Sequence, residues 1–184
     1  VDRVGGIVGY ASYTTVSKVY SYVDISNETN VLAAHVGGVV GSANDGGSIS
    51  QCMYFGKIDL HNSYDCIGGI AGYTNSTAIS YCANHGSVKT GSPSGYTGGI
   101  LGYINNNVGS VRNCYNYGSV QNGGGNYCGA IVGCLRDHIA GRFTDNYYLD
   151  TSAASGFGSG SNGTSAKAPA KDETAFASGE VCYL

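Results

Sequence analysis

The chain has no tryptophan, only two prolines and one methionine, and just 11% of its 184 residues carry charge. An average globular protein has roughly 25% charged residues, so neither a salt-laced helical surface nor an ion-pair network organises this one. Positive charge is scarcest. Nine Lys and Arg against twelve Asp and Glu leave a net charge of -3, scattered without a stripe, which argues against nucleic-acid binding. No apolar run approaches the roughly 18–20 residues of a membrane-spanning helix, so no membrane insertion is expected. Helical periodicity is missing through residues 1–150. The chain also opens without an initiator Met or secretory leader, and Val1 falls partway into a repeat unit, as expected of a piece of a longer parent.

What is present is glycine, tyrosine and repetition: 31 Gly and 16 Tyr. Val4-Gly5-Gly6-Ile7-Val8-Gly9 returns at Val36–Gly41, Ile67–Gly72, Thr97–Gly102 and Cys128–Gly133. The first glycines fall at 5, 37, 68, 98 and 129, a period of 30–32 residues. A fixed period of this size marks a repeat architecture.

Each unit reads as two or three short strands parted by glycine turns. The glycine phrase comes first, followed by a polar loop and an alternating strand such as Val111-Arg112-Asn113-Cys114-Tyr115-Asn116. A last short strand after another glycine, as in Tyr117-Gly118-Ser119-Val120, closes the unit. Such a unit cannot bury its apolar face alone, whereas stacking identical units builds one core and pairs each backbone row with the next. The expected fold is therefore all-β: a parallel β-solenoid, right-handed by the general handedness of parallel crossovers, of about five coils over residues 1–150. Small antiparallel hairpin units are the alternative. Residues 151–171, rich in Ser, Gly and Ala, read as a flexible loop or linker. Residues 172–184 read as a short helix with Asp172 as N-cap and Gly179 past its end. Phe176, Val181 and Leu184 could then fold back and cap the last coil's open strand edges.

Seven cysteines cannot all pair within one chain. Val19, Cys52, Cys82 and Cys114 share a repeat column, with Asn146 in the fifth row. Exchange of Cys with Val suits buried free thiols, although neighbours about 4.8 Å apart in stacked coils could also approach disulfide distance. No C-x-x-C or His/Cys spacing points to zinc.

The G-[IV]-x-G core, the N/S-C-Y/A-N-x-G-S-V segment and the closing Asn146-Tyr147-Tyr148-Leu149-Asp150 resemble the GLUG repeat over residues 1–150. The tail Thr174–Val181 resembles the segment that follows such arrays in gut and oral anaerobes. GLUG repeats occur in bacterial surface and secreted proteins, including IgA-cleaving metallopeptidases and putative adhesins, and are not known as catalytic units. The resemblance implies an extracellular or bacterial cell-surface location and a role as spacer or ligand-presenting module. Its partners would be other domains of the parent chain and a host glycan or matrix protein. Ala130, Ser42 and Cys134 depart from the repeat pattern.

The search for chemistry yields little. None of the four histidines (His35, His61, His85 and His138) is followed by Glu, so the H-E-x-x-H zinc helix of a metallopeptidase is missing. No cofactor or metal is expected. Asn44-Asp45-Gly46-Gly47 occurs once and reads as a turn rather than a calcium loop. A degenerate carbohydrate-active β-helix is the alternative function, and its candidate polar site is Arg136, Asp137, His138 and Arg142, near Asp145. The bland reading of that cluster is a charged surface loop. The binding hypothesis rests instead on aromatics: Tyr73 and Tyr103 in the column after the glycine phrase, and Tyr115 and Tyr117 in a later strand. Tyrosine offers large contact area at low entropic cost, while the competing reading is that these rings stack on one another for stability.

Overall fold

The computed structural model describes residues 3–27, 34–61, 66–105, 108–135, 141–158 and 168–182. The fold is a parallel β-solenoid. Each of the first four coils contributes five short strands rather than the two or three expected, and the fifth contributes four. The molecule thus has four complete turns and a partial fifth.

The coils stack into five sheets, numbered by their order along each coil. Sheet 1 begins with Arg3–Gly5, sheet 2 with Val8–Ser12, sheet 3 with Thr15–Ser17, sheet 4 with Tyr20–Ser21 and sheet 5 with Ile25–Ser26. Pairing is in register, so columns of the sequence become columns of side chains. Val16, Ile49, Ile79, Val111 and Phe143 stack along sheet 3, and Ile25, Ile58, Val88 and Val120 along sheet 5. With Val39, Ile70, Ile100 and Ile131 they form one continuous buried core.

The glycine phrase does not form a single buried strand. It folds at its middle, and its halves join sheets 1 and 2. A Cβ at Gly37 would lie 2.0 Å from the Val40 carbonyl oxygen, so only glycine lets the two strands close this tightly. The second glycine has a different duty. A Cβ at Gly38 would strike the Tyr54 ring at 2.4 Å, and one at Gly99 would strike Asn116 at the same distance. Those partners belong to an interior column of sheet 4, made of Ser21, Tyr54, Asn84, Asn116 and Tyr148. Its polar groups are satisfied in place. Asn84 Nδ2 donates to Asn116 Oδ1 at 2.7 Å and to the Gly86 carbonyl at 3.0 Å, and Tyr54 Oη donates to the Val23 carbonyl at 2.9 Å. Removing one partner from such a buried network leaves the other unsatisfied, at a cost of about 1–3 kcal/mol.

Between sheets 3 and 4 the chain turns through one left-handed residue per coil: Lys18, Gln51, Tyr81, Asn113 and Asp145, with φ of 52–58°. The next column holds the cysteines. Cys52, Cys82 and Cys114 are free and buried, with Sγ donating to the Ser50, Ser80 and Arg112 carbonyls at 3.2, 3.2 and 3.1 Å. Hydrogen bonding to a neighbouring thiol is the first cause and burial a further one that raise the Cys52 and Cys82 pKa values, keeping both as neutral thiols.

The described parts of the Ser/Gly/Ala-rich stretch are not a free linker. Ala130 N–H donates to the Ser155 carbonyl and Ile131 N–H to that of Gly156, both at 2.8 Å, while Phe157 bridges to Val132. Ala170–Lys171 adds a sixth strand to sheet 4 beside Tyr147–Leu149. The helix Glu173–Ala177 follows, with the Asp172 carboxylate capping the Ala175 N–H at 2.8 Å and Gly179 at φ 81° beyond the end. Phe176 and Val181 do turn back onto the array; Leu184 lies outside the described residues. At the opposite end Ile7 is 51% exposed, although its equivalents in coils two to five are fully buried. Among the described residues, no helix is long and apolar enough to cross a membrane.

Candidate functional site

The four tyrosines singled out from the sequence fall on two separate aromatic ladders. Tyr73 and Tyr103 flank the mouth between sheets 1 and 2. There Tyr73 stacks on His35 at 4.5 Å and tilts against Tyr103 at 5.8 Å, and Tyr96 stacks on Tyr103 at 4.9 Å and meets Tyr127 edge-on. The first coil repeats the theme with Arg3 over the Tyr10 ring at 4.3 Å. Tyr73, Tyr96, Tyr103 and Tyr127 are half-buried, whereas Tyr10 in the first coil is 44% exposed. Burial raises the pKa values of Tyr73 and Tyr96, as expected of phenols serving as wall.

Tyr115 and Tyr117 stand on the outer face of sheet 4. Strand alternation sets Ser21, Tyr54 and Asn84 inward and the intervening residues outward. The outward residues form a second ladder: Tyr22 on Phe55 at 4.9 Å, Phe55 on His85 at 5.2 Å, and His85 against Tyr115 at 5.4 Å and Tyr117 at 5.6 Å. The cap closes its far end, where Phe176 meets Tyr115 and Tyr117 and the Tyr117 hydroxyl donates to Glu173 Oε1 at 3.0 Å. That bond to a carboxylate raises the Tyr117 pKa. His85 Nε2 is hydrogen-bonded to Tyr115 Oη at 3.0 Å. The ring edge of His85 reaches solvent, yet desolvation by its neighbours lowers its pKa from the ordinary imidazole value.

The two ladders differ in exposure. On and beside sheet 4, Tyr22 is 70%, Tyr81 63% and Tyr20 60% exposed. Single exposed apolar residues are ordinary, but several open rings on and beside one sheet face fit an interaction surface. Sequence reading missed Tyr20 because Met53 and Ala83 interrupt the column it shares with Tyr115, and missed Tyr81 because it stands at the left-handed corner.

Within this face lies a groove of about 390 Å³. It exists because one outward column of sheet 4 runs Tyr20, Met53, Ala83, Tyr115, Tyr147, and the small Ala83 leaves a gap between larger neighbours. Tyr81 and Asn113 at the left-handed corner, Asp145 one coil further and Val181 of the tail complete the walls. The side chains of Tyr81, Asn113 and Asp145 have no hydrogen-bond or ion-pair partner among the described residues. Asp145 is the only carboxylate in the lining, again among the described residues.

Of the alternative polar site, the described structure holds only Arg142. Arg136, Asp137 and His138 lie outside the described residues, and Arg142 donates through Nη1 to the Val108 carbonyl of the previous coil, a structural bond. Asn44–Gly47 is a turn with Asp45 at φ 64° and Gly46 at φ 85°, and Asp45 Oδ2 accepts from Ser12 Oγ at 2.8 Å. Among the described residues, no three His, Cys, Asp or Glu side chains gather as a metal site would need. No family model, no curated protein and no solved structure matches the chain.

Proposed function

We propose that this chain is a non-catalytic repeat module of a bacterial surface or secreted protein, adhesive rather than a bare spacer, with the outer face of sheet 4 as its binding face. One observation carries the reading. Exposed rings and a formed groove share that face, while Tyr73, Tyr96 and Tyr103 at the mouth of sheets 1 and 2 are engaged with one another. A spacer gains nothing from exposed tyrosines, which cost solubility without adding packing. Asp145 is the one carboxylate among the described lining residues, whereas glycoside hydrolysis usually takes a pair, which favours binding over cleavage. The GLUG resemblance, with its surface location, points the same way.

The test is a binding screen against immobilised glycans and extracellular-matrix proteins, run with two double variants. Binding abolished by Tyr20→Ala/Tyr22→Ala, on the exposed part of sheet 4, and kept by Tyr73→Ala/Tyr103→Ala supports the reading. Binding lost only in the second variant moves the site to the mouth of sheets 1 and 2. No binding by the folded protein leaves a spacer and sinks the proposal.

A further inference from the structure

We infer that the sheet 4 groove takes the ring of a neutral saccharide, with Tyr81 as a stacking platform and Asn113 and Asp145 as hydroxyl partners. The inference rests on the binding reading above and narrows it to a ligand class. Size comes first. At about 390 Å³ the groove lies within the roughly 300–1,000 Å³ range of small-ligand sites, too small for a folded partner to enter.

Charge then separates the ligand classes. An anion would face Asp145, no cation stands among the described lining residues, and Lys171 beside the Tyr147 ring is already paired with Glu180. A cation would find aromatic rings and a carboxylate, the usual ingredients of an ammonium site. Here, however, the Lys171 ammonium already lies 5.9 Å from the Tyr147 ring centroid, so that ring is engaged by the chain's own cation. Lys171 is itself bonded to Glu180 and so is held there. A neutral polyhydroxyl ring meets neither conflict. Its C–H face packs on a phenol ring, and its hydroxyls can both give to a carboxylate and exchange bonds with an amide.

The corner position of Tyr81 adds a further argument. Tyr81 stands at φ 54°, a left-handed position that Asn and Asp tolerate better than a bulky side chain. The next two coils use Asn113 and Asp145 there. The Tyr81 ring touches no other aromatic among the described residues and is 63% exposed. Since Lys18 and Gln51 share this backbone, what sets Tyr81 apart is a large ring left open beside the groove.

The decisive experiment titrates the whole 184-residue chain with cellobiose, lactose, maltose and chitobiose, and in parallel with tetramethylammonium chloride and inorganic phosphate. Amide chemical shifts provide the readout. At least one disaccharide is expected to bind. Tyr81→Asn should weaken it at least tenfold, Tyr81→Phe should retain most of the affinity, and Asp145→Asn should weaken it several-fold. Both corner substitutions have precedents in neighbouring coils, so the variants should fold, and thermal melts check that they do. Saturable binding of tetramethylammonium or phosphate alone overturns the inference, as does saccharide binding indifferent to Tyr81→Asn. Should all disaccharides fail while a screened protein ligand still depends on Tyr20 and Tyr22, the saccharide inference falls and the binding module stands. If neither kind of ligand binds, both fall.

Discussion

At the mouth of sheets 1 and 2, Tyr96 lies on Tyr103 at 4.9 Å and Tyr73 on His35 at 4.5 Å, with the rings half-buried. Around the coil, Tyr81 meets no other described ring, and Tyr22 keeps one face open although it stacks on Phe55. The residue type is the same and so is the repeat that delivers it. What differs is how much of each ring is already used. A ring enclosed by neighbours adds to the stability of the array, whereas an open ring beside Ala83 and two uncommitted polar side chains is free to hold something else.

The largest effect should come from a change that removes both regions together. Gly99→Val would set a Cβ 2.2 Å from the Ala130 carbonyl oxygen and 2.4 Å from Asn116. A loss of about 3 kcal/mol or more is expected, since neither neighbour can move without shearing the stack. Thermal unfolding and tyrosine near-UV dichroism should fail together, and independent melting of the two faces would refute a single cooperative array.

Next in size is the mouth itself. Tyr96→Ala/Tyr103→Ala removes two half-buried stacked rings and should cost about 2 kcal/mol of stability. Ligand affinity measured well below the melting temperature should not change. Tyr81→Asn is the converse, with stability unchanged or raised by less than about 1 kcal/mol and binding lost. Together the pair forms a double dissociation, and a similar loss of stability in both variants would erase the contrast.

The architecture was largely written in the period of 30–32 residues and in the glycines, because in-register stacking turns equal spacing directly into columns. The cysteine column was also legible, since exchange with Val19 marks an apolar position. Three features were not. The left-handed corner carries Lys18, Gln51 and Tyr81 without a single glycine, so the backbone there is set by its stacked neighbours and not by residue preference. The stretch at Ser155–Gly158 reads as linker by composition, yet it pairs with the fifth coil; the lone Phe157 between two glycines was the available clue to a worn-down repeat phrase. The groove depends on Ala83 being small among Tyr20, Met53, Tyr115 and Tyr147. Comparing side-chain size down that column would have exposed it, whereas a search for charged clusters could not.

The smallest expected effect concerns pH. His85 sits among Phe55, Tyr115 and Tyr117, and desolvation lowers its folded pKa from 6.5. The unfolded chain therefore binds the proton more readily. The contribution of neutral His85 is fully present above about pH 6.5 and is lost as pH falls through that value toward the folded pKa. Melting temperature should drop slightly more between pH 7 and pH 5 in the wild type than in His85→Gln. Equal slopes would show that His85 gains no stability from its neutral form.

The most direct test of the central claim is a map of amide and tyrosine-ring chemical shift changes on the folded protein, made with the strongest ligand from the screen. The account predicts changes confined to the outer face of sheet 4 and its corner, at Tyr20, Tyr22, Tyr81, Asn113, Tyr115, Asp145 and Tyr147, with Tyr73, Tyr96 and Tyr103 unmoved. Perturbations centred on Tyr96 and Tyr103, with sheet 4 silent, would contradict it.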